Sequence, residues 1–591
     1  MRLVWTASDV SAGELAGDGF SPGLMSVGLG TVPRLQTEVD ITAGNRVFDS
    51  LYDEPLPTSQ SNCPAWWHQV IQRADSAPDE IDPGLLSETL EKVGVSVLAR
   101  GGASCTFSSP GKEAAASGSP PKKLSGTPRE NAPLGRFEVS SANPANLAPL
   151  AGNRGDLTIV IARPTGKTDE PVPIGIAAPG FDGNLTSDTT RTDGYVASTD
   201  VAPTVLGFFG VAVPEQMIGQ AIRAEGSVDP VAIEARGARM AVVSARRGPV
   251  IGWSLLAWVL ALGLVVLVGR GLAPVAVRLT GLAVVYLPVL LLVGAALTPA
   301  EYPETLLVML GSPLLAALTL GALRDYRALA VAAGVTVVAY ALDAILGSPL
   351  SALSLLGPNP LLGVRFYGIG NELEALLSVL IVGGIGAGLA GFAPRLSPGR
   401  CAVAFLVIGL AFAAIFASGA FGADVGAAID FPIGVAVAAL VITGGRRRWI
   451  LLVILIPLAA VALLGLADLL TGANSHFTRS VLDAGGLHSL GDTAQRRLQQ
   501  TARSFVRPVL LVALPVVAIG VLVAVLRRAT LASWVREVPA MRAALIGAVV
   551  ATVVATVAND SGALLLEIGA AYLLVFLGWA WAEGGRSARG A

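Results

Sequence analysis

Three short stretches set carboxylates among small polar residues at the mouths of apolar runs: Gly370-Asn371-Glu372, Gly422-Ala423-Asp424-Val425-Gly426 and Ala558-Asn559-Asp560-Ser561-Gly562. A helix N-terminus offers free N–H groups and a partial positive charge, and Asn, Asp and Ser are good N-caps. Gathered on one face, Asn371 and Asn559 would hold a phosphate-bearing substrate. Glu372, Asp424 and Asp560, with Asp430 close by, would ligate a divalent cation bridging a phosphate or pyrophosphate, or supply a general base. The competing reading is three well-capped helices with no further role. His476 and Arg479, in Asn474-Ser-His-Phe-Thr-Arg479, have the chemistry to engage a lipid-linked phosphate; against this stands an incidental loop histidine. Arg365, beside Tyr367, is either an interfacial anchor or a ligand contact. Asp343 lies inside an apolar run and is expected to partner an arginine, since a bare charge there is expensive.

These residues are positioned by a chain that changes character midway. Of its 591 residues 53% are hydrophobic and only 14% charged, which excludes an ordinary soluble fold. All lysines (Lys92, Lys112, Lys122, Lys123, Lys167) lie in the first half, and the second half uses arginine alone. The arginines are not interleaved with aromatics, so nucleic acid is not an expected partner. Three cysteines make no disulfide framework or Cys-rich metal site. Cys63 and Cys105 either pair, in an oxidising compartment, or stay as two thiols.

Residues 1–248 read as an α/β domain. Strand-like runs such as Leu157–Ala162 and Ile174–Ala178 end in Gly/Pro turns, and Asp82–Val95 carries apolar residues at helical spacing. Residues 108–135, rich in Ser, Pro, Gly and Lys, read as a disordered or long surface loop. Met1–Thr6 shows no charged region followed by an apolar one, so no signal peptide is visible.

Residues 249–591 read as an all-α polytopic membrane domain of about eleven transmembrane helices, near the roughly 20 residues that each crossing needs. The runs are 250–269, 280–298, 305–323, 328–347, 371–393, 401–420, 431–444, 449–470, 508–526, 541–558 and 562–582. Alternate connections hold Arg270/Arg278, Arg324/Arg327, Arg395/Arg400, Arg446–Arg448, Arg527/Arg528/Arg536/Arg542 and Arg586/Arg589. The positive-inside rule puts these and the C-terminus in the cytoplasm, and the N-terminal domain outside a bacterial plasma (inner) membrane. The loop 471–507 breaks the trend with five arginines, and its 496–507 part reads as a basic amphipathic helix meeting an anionic surface. An exported domain needs a translocation signal, so either a first membrane helix is missing from this start or the topology is inverted; the arginine pattern favours the first.

Part of the N-terminal half resembles the alkaline phosphatase/sulfatase superfamily. Thr199-Asp200-Val-Ala-Pro-Thr-Val-Leu206 with Gly210-Val-Ala-Val-Pro214 is similar to its late D-x-A-P-T-L-L segment, Ser187–Arg191 to the approach, and Asp156–Val160 to a central strand. Val39-Asp-Ile-Thr-Ala-Gly-Asn-Arg46 resembles the turn that presents the nucleophile. Aligned on Gly44, the nucleophile falls on Asp40 rather than a hydroxyl, Thr42 is the nearest substitute, and Asn45 and Arg46 complete the turn. The family's metal ligands are Asp and His, and this domain offers only His68; the strand bearing the first metal Asp would precede Met1. The resemblance therefore implies an incomplete alkaline phosphatase-like α/β domain that has lost two-metal chemistry. The membrane half, with its Arg365-Phe-Tyr-Gly-Ile-Gly-Asn-Glu372, Gly422-Ala-Asp-Val-Gly426 and Asn559-Asp-Ser-Gly562 motifs, resembles polytopic proteins of Gram-positive and high-GC bacteria, which implies a location in the cell envelope and names no activity.

Three functions follow as expectations. The first is action on a lipid-linked or phosphate-bearing envelope precursor, such as a polyprenyl-phosphate-linked glycan or another anionic lipid, at the outer face of the membrane. The others are a non-catalytic scaffold or sensor with a dead phosphatase-like domain, and a transporter or flippase. Few polar residues lie deep in the apolar runs, which weighs against transport.

Overall fold

The computed structural model describes residues 1–7, 10–58, 60, 62–77, 80–100, 104–107, 135–152, 155–445, 451, 455–460, 462–463, 505, 513–559 and 561–587. The chain divides into two units: Met1–Val242 with Asn359–Phe366, and Val243–Pro358 with Tyr367–Ala591. The division falls inside one long helix, Pro230–Val268. Asn359–Phe366, in sequence part of the membrane half, belongs to the first unit.

Unit 1 is built on a seven-stranded mixed sheet. Its strands are β1 (Arg2–Thr6), β2 (Ser21–Ser26), β4 (Val95–Ala99), β5 (Gly135–Ser141), β6 (Thr158–Ala162), β8 (Val172–Ala177) and β10 (Tyr195–Ala197), in the order β10-β2-β8-β6-β1-β5-β4. The short strands β3 (Val32–Pro33) and β7 (Lys167–Thr168) pair with each other, as do β9 (Asn184–Thr186) and β11 (Arg223–Glu225). Only β8 runs antiparallel to its neighbours in the large sheet. Strands β2 and β6 are buried along their whole length, which is why Thr158-Ile-Val-Ile-Ala162 is apolar without alternation. Arg2–Thr6, at the start of this sequence, forms β1, hydrogen-bonded between β5 and β6.

The helices of unit 1 are α1 (Ala12–Gly17), α2 (Arg34–Ala43), α3 (Cys63–Asp75), α4 (Leu85–Lys92), α5 (Ser104–Phe107), α6 (Ala148–Ala151) and α7 (Val201–Phe208). Helix α2 is unusual in being buried from Gln36 to Ala43 although five of those eight residues are polar. Burial of this kind calls for hydrogen-bonded partners: Gln36, Asp40 Oδ1, Glu38 Oε2 and Thr42 have them, whereas Thr37 Oγ1, Glu38 Oε1 and Asp40 Oδ2 are buried without one. Cys63 and Cys105 form a disulfide across a separation of 42 residues, a closure that stabilises the unit by about 4 kcal/mol on a loop-entropy estimate.

Unit 2 is helical. Among the described residues eight helices are long and apolar enough to cross a membrane, or nine if the bent pair Leu514–Leu526 and Arg528–Trp534 is one span. In chain order the helices from the division onward are α8 (Pro230–Val268), α9 (Ala273–Leu297), α10 (Glu301–Ala322), α11 (Tyr326–Ile345), α12 (Asn371–Phe392), α13 (Pro398–Ala417), the shorter α14 (Asp430–Ile442), α15 (Ala513–Leu526), α16 (Arg528–Trp534), α17 (Pro539–Ala558) and α18 (Gly562–Ser587); the eight spans are α8 to α13, α17 and α18. This is the architecture of a multi-pass membrane protein. Of the expected run 449–470 only residues 451, 455–460 and 462–463 are described, of the loop 471–507 only residue 505, and 108–134 lies outside the described residues. The core of unit 2 joins Leu376 and Leu380 of α12, Phe405 and Phe416 of α13, Phe431 of α14 and Phe576 of α18.

Candidate functional site

In unit 2 the heads of α12 and α14 and the α17–α18 turn converge, and the residue at their meeting point is Glu374. Asn559 donates from Nδ2 to Glu374 Oε2 at 2.8 Å, and the same nitrogen lies 3.5 Å from Asn371 Oδ1. The backbone ahead of α14 presses on the same carboxylate: a Cβ at Gly426 would stand 2.0 Å from Glu374 Oε1. Close by in sequence, Asp424 Oδ1 accepts from the Ala427 N–H and Asp430 Oδ1 from the Phe431 N–H. Glu374 and Asp430 are fully buried and Asp424 nearly so. Asp430 Oδ2 is buried without a hydrogen-bond partner. Asn371 and Asn559 thus come together, though not as the N-caps expected: Gly370 caps α12, with Asn371 its first residue, and Asn559 is the C-cap of α17.

Glu372 has a different partner. Its Oε1 accepts from Arg247 Nη1 at 2.7 Å, while Arg247 Nη2 bonds the Gly357 carbonyl at 2.9 Å. The carboxylate read as a metal ligand or base is held in an ion pair. Glu374 and Arg247 were not legible as site residues. Two carboxylates two positions apart on a helix point in different directions, and sequence does not say which faces inward. Asp343, expected to partner an arginine, instead accepts the N–H groups of Leu350 and Ser351, both at 2.9 Å. Arg365 falls in the Asn359–Phe366 part of unit 1, whereas Tyr367 in unit 2 donates to the Gly419 carbonyl. Asp560, His476 and Arg479 lie outside the described residues. Among the described residues no group of three or more His, Cys, Asp or Glu is arranged to hold a metal ion.

In unit 1 the turn that resembles a nucleophile turn is committed to structure. Asp40 is 0% exposed, and its Oδ1 accepts from Gln36 Nε2 at 2.7 Å. Gln36 Oε1 in turn accepts from Arg73, which also bonds Asp49 and lies over the Tyr52 ring. Burial pushes the Asp40 carboxyl up to about 7, against the pull of the Gln36 hydrogen bond and the Arg46 and Arg73 charges. The Thr42 hydroxyl donates back to the Val39 carbonyl and accepts from the Gly84 N–H. Asn45 donates to the Glu80 carbonyl and accepts from the Arg46 N–H. Arg46 reaches Ser26, Gly28 and Gly363.

Asp200, at the start of the late segment, is equally engaged. Its Oδ2 accepts from Ser187 and the Ala197 N–H, and its Oδ1 from Thr189 and the Gln220 N–H. Burial still raises its carboxyl above the usual range, with those four hydrogen bonds opposing. The chemistry of this arrangement is that of an anchor for the 187–200 and 217–222 segments. No family model matches the chain, and searches of curated proteins and of solved structures return no match either.

Proposed function

We propose that the chain is a non-catalytic scaffold or sensor of a bacterial envelope membrane, built from a degenerate alkaline phosphatase-like domain and about eleven membrane crossings, of the length each crossing needs. Its partner on this reading is a lipid-linked, phosphate-bearing envelope precursor at the outer face. The observation that carries the non-catalytic reading is Asp40: the residue standing where the nucleophile would be is fully buried, hydrogen-bonded by Gln36, and closed to substrate. Two further features agree with it. Glu372 is ion-paired to Arg247, and Glu374 is capped by Asn559. The alternation of arginine-bearing loops supports an extracytoplasmic N-terminal domain, and the Cys63–Cys105 disulfide fits an oxidising compartment.

The test is turnover by the purified full chain in detergent, with phosphate and sulfate monoester and diester substrates, with and without added zinc or magnesium. The expected result is no hydrolysis above that of membranes lacking the protein. Metal-dependent turnover that Asp40→Asn or Thr42→Ala abolishes would overturn the proposal.

A further inference from the structure

The carboxyl ends of three neighbouring parallel strands, β6, β1 and β5, open onto a cleft of about 460 Å³ in unit 1. Each strand contributes polar side chains to its lining. Thr6 closes β1, Ser141 closes β5, and Arg163 follows the last residue of β6. The fourth wall is Arg34, first residue of helix α2, with Thr165 and Gly166 beside it. In open α/β sheets the crevice beyond the carboxyl ends of the strands is where ligands bind.

The lining is rich in donors that the protein leaves without acceptors. Arg163 Nε, the Thr6 hydroxyl and Trp5 Nε1 are all buried without a hydrogen-bond partner. Trp5 and Thr6 are 1% and 3% exposed. The Arg163 guanidinium makes one long contact, 3.4 Å from Nη2 to Ser141 Oγ, and lies 5.7 Å from the Trp5 ring centroid. Helix α2 adds its own field. Its N-cap is Pro33, which supplies no capping side chain; the Arg34 N–H donates to the Gly166 carbonyl at 3.1 Å, and the positive end of the helix dipole still points at the cleft. The negative charge that faces these groups is Glu38: it lies 3.7 Å from Arg34 Nε, is fully buried, and its Oε2 is already bonded by Thr106. Two guanidinium groups against one carboxylate leave a positive cleft.

We propose that this cleft is a binding site for a phosphate-bearing anion, held by Arg34 and Arg163 with the Thr6 hydroxyl and the head of α2. Paired guanidinium groups match the oxygens of a phosphoryl group, and the donors without acceptors are those such a group satisfies. The volume is within the usual range of small-molecule sites, roughly 300–1,000 Å³, so the cleft has room for what the phosphate is attached to. A free phosphomonoester and a lipid headgroup share this chemistry. The assignment stands independently of the absence of hydrolysis, since binding and turnover are read separately.

The test is isothermal titration of the full chain in phosphatidylcholine nanodiscs with inorganic phosphate and with glucose 1-phosphate. It is repeated in nanodiscs containing phosphatidic acid. Binding of a soluble probe is expected, and Arg34→Gln and Arg163→Gln should each weaken it about tenfold or more, as loss of a charged hydrogen-bond donor does. Arg163→Lys, which keeps charge without the planar fork, should fall between. Thr6→Val preserves the strand and removes only the hydroxyl, so it reports on the cleft even if an arginine variant misfolds; it too should weaken binding. If phosphatidic acid suppresses the titration, a lipid headgroup reaches the site; if it does not, the ligand is a soluble anion. Failure of both soluble probes to bind, or binding that none of the four substitutions alters, would overturn the assignment.

Discussion

Arg46 donates from Nη2 to the carbonyl oxygen of Gly363 at 2.8 Å, across 317 positions of sequence. The contact fixes Asn359–Phe366 within unit 1, together with Gly30 N–H on the Leu362 carbonyl, Tyr195 on the Pro360 carbonyl, and Phe366 beneath the Arg46 guanidinium. Gly363 has a φ of +68°, and a Cβ there would stand 2.1 Å from the Gly28 carbonyl oxygen. Only glycine fits.

From this arrangement Arg46→Met should destabilise unit 1 by about 3 kcal/mol, because it strands buried acceptors that water does not reach. Gly363→Ala should act in the same direction through its clash and its positive φ. Both are read by thermal unfolding, with limited proteolysis after Arg365 reporting release of the segment. Unchanged melting in both variants would mean that the segment is not anchored this way.

Asp40 makes stability depend on pH. Its folded pKa of about 7 stands above the ordinary 3.8. Between those values the unfolded chain has given up a proton that the folded chain keeps. The stability this group contributes is therefore whole below about pH 4 and falls as pH rises, levelling off above pH 7, with a loss of at most about 4 kcal/mol. Glu38 and Asp200 are raised by burial too and add slope of the same sign. Asp40→Asn should stabilise the unit by about 2 kcal/mol above pH 7 and by almost nothing near pH 4. Melting curves across that range check it, and an equal effect at both ends would show that Asp40 is not buried as a proton-keeping acid.

Glu374 and Asn559 form an acceptor and donor pair that can be inverted. Asn559→Asp alone sets two carboxylates together in a buried place and should cost about 2–4 kcal/mol. Adding Glu374→Gln restores one donor and one acceptor, and should recover most of that loss. Thermal stability of the detergent-solubilised chain measures the cycle. If the double variant is no better than Asn559→Asp, the pair does not interact as described.

Length and periodicity of apolar residues announced the two halves of the chain. The apolar runs are local: roughly 20 residues must be apolar together to cross a bilayer, and that can be read without any partner. Thr158–Ala162 as a strand, and a helix beginning at Asn371, are local in the same sense. What the tertiary structure decided depends on pairs far apart in the chain. Glu374 rather than Glu372 faces the cluster because Arg247, 125 positions earlier, takes Glu372. Asp343 is a shorter-range case: it turns to the Leu350 and Ser351 amides, seven and eight positions on, because the chain folds back there. Arg2–Thr6 becomes a central strand because β5 and β6 flank it. Arg34 and Arg163, unremarkable in sequence, share one cleft because β6 ends beside the head of α2. Spacing along a chain states which face a residue can occupy; only packing of distant segments states what that face meets.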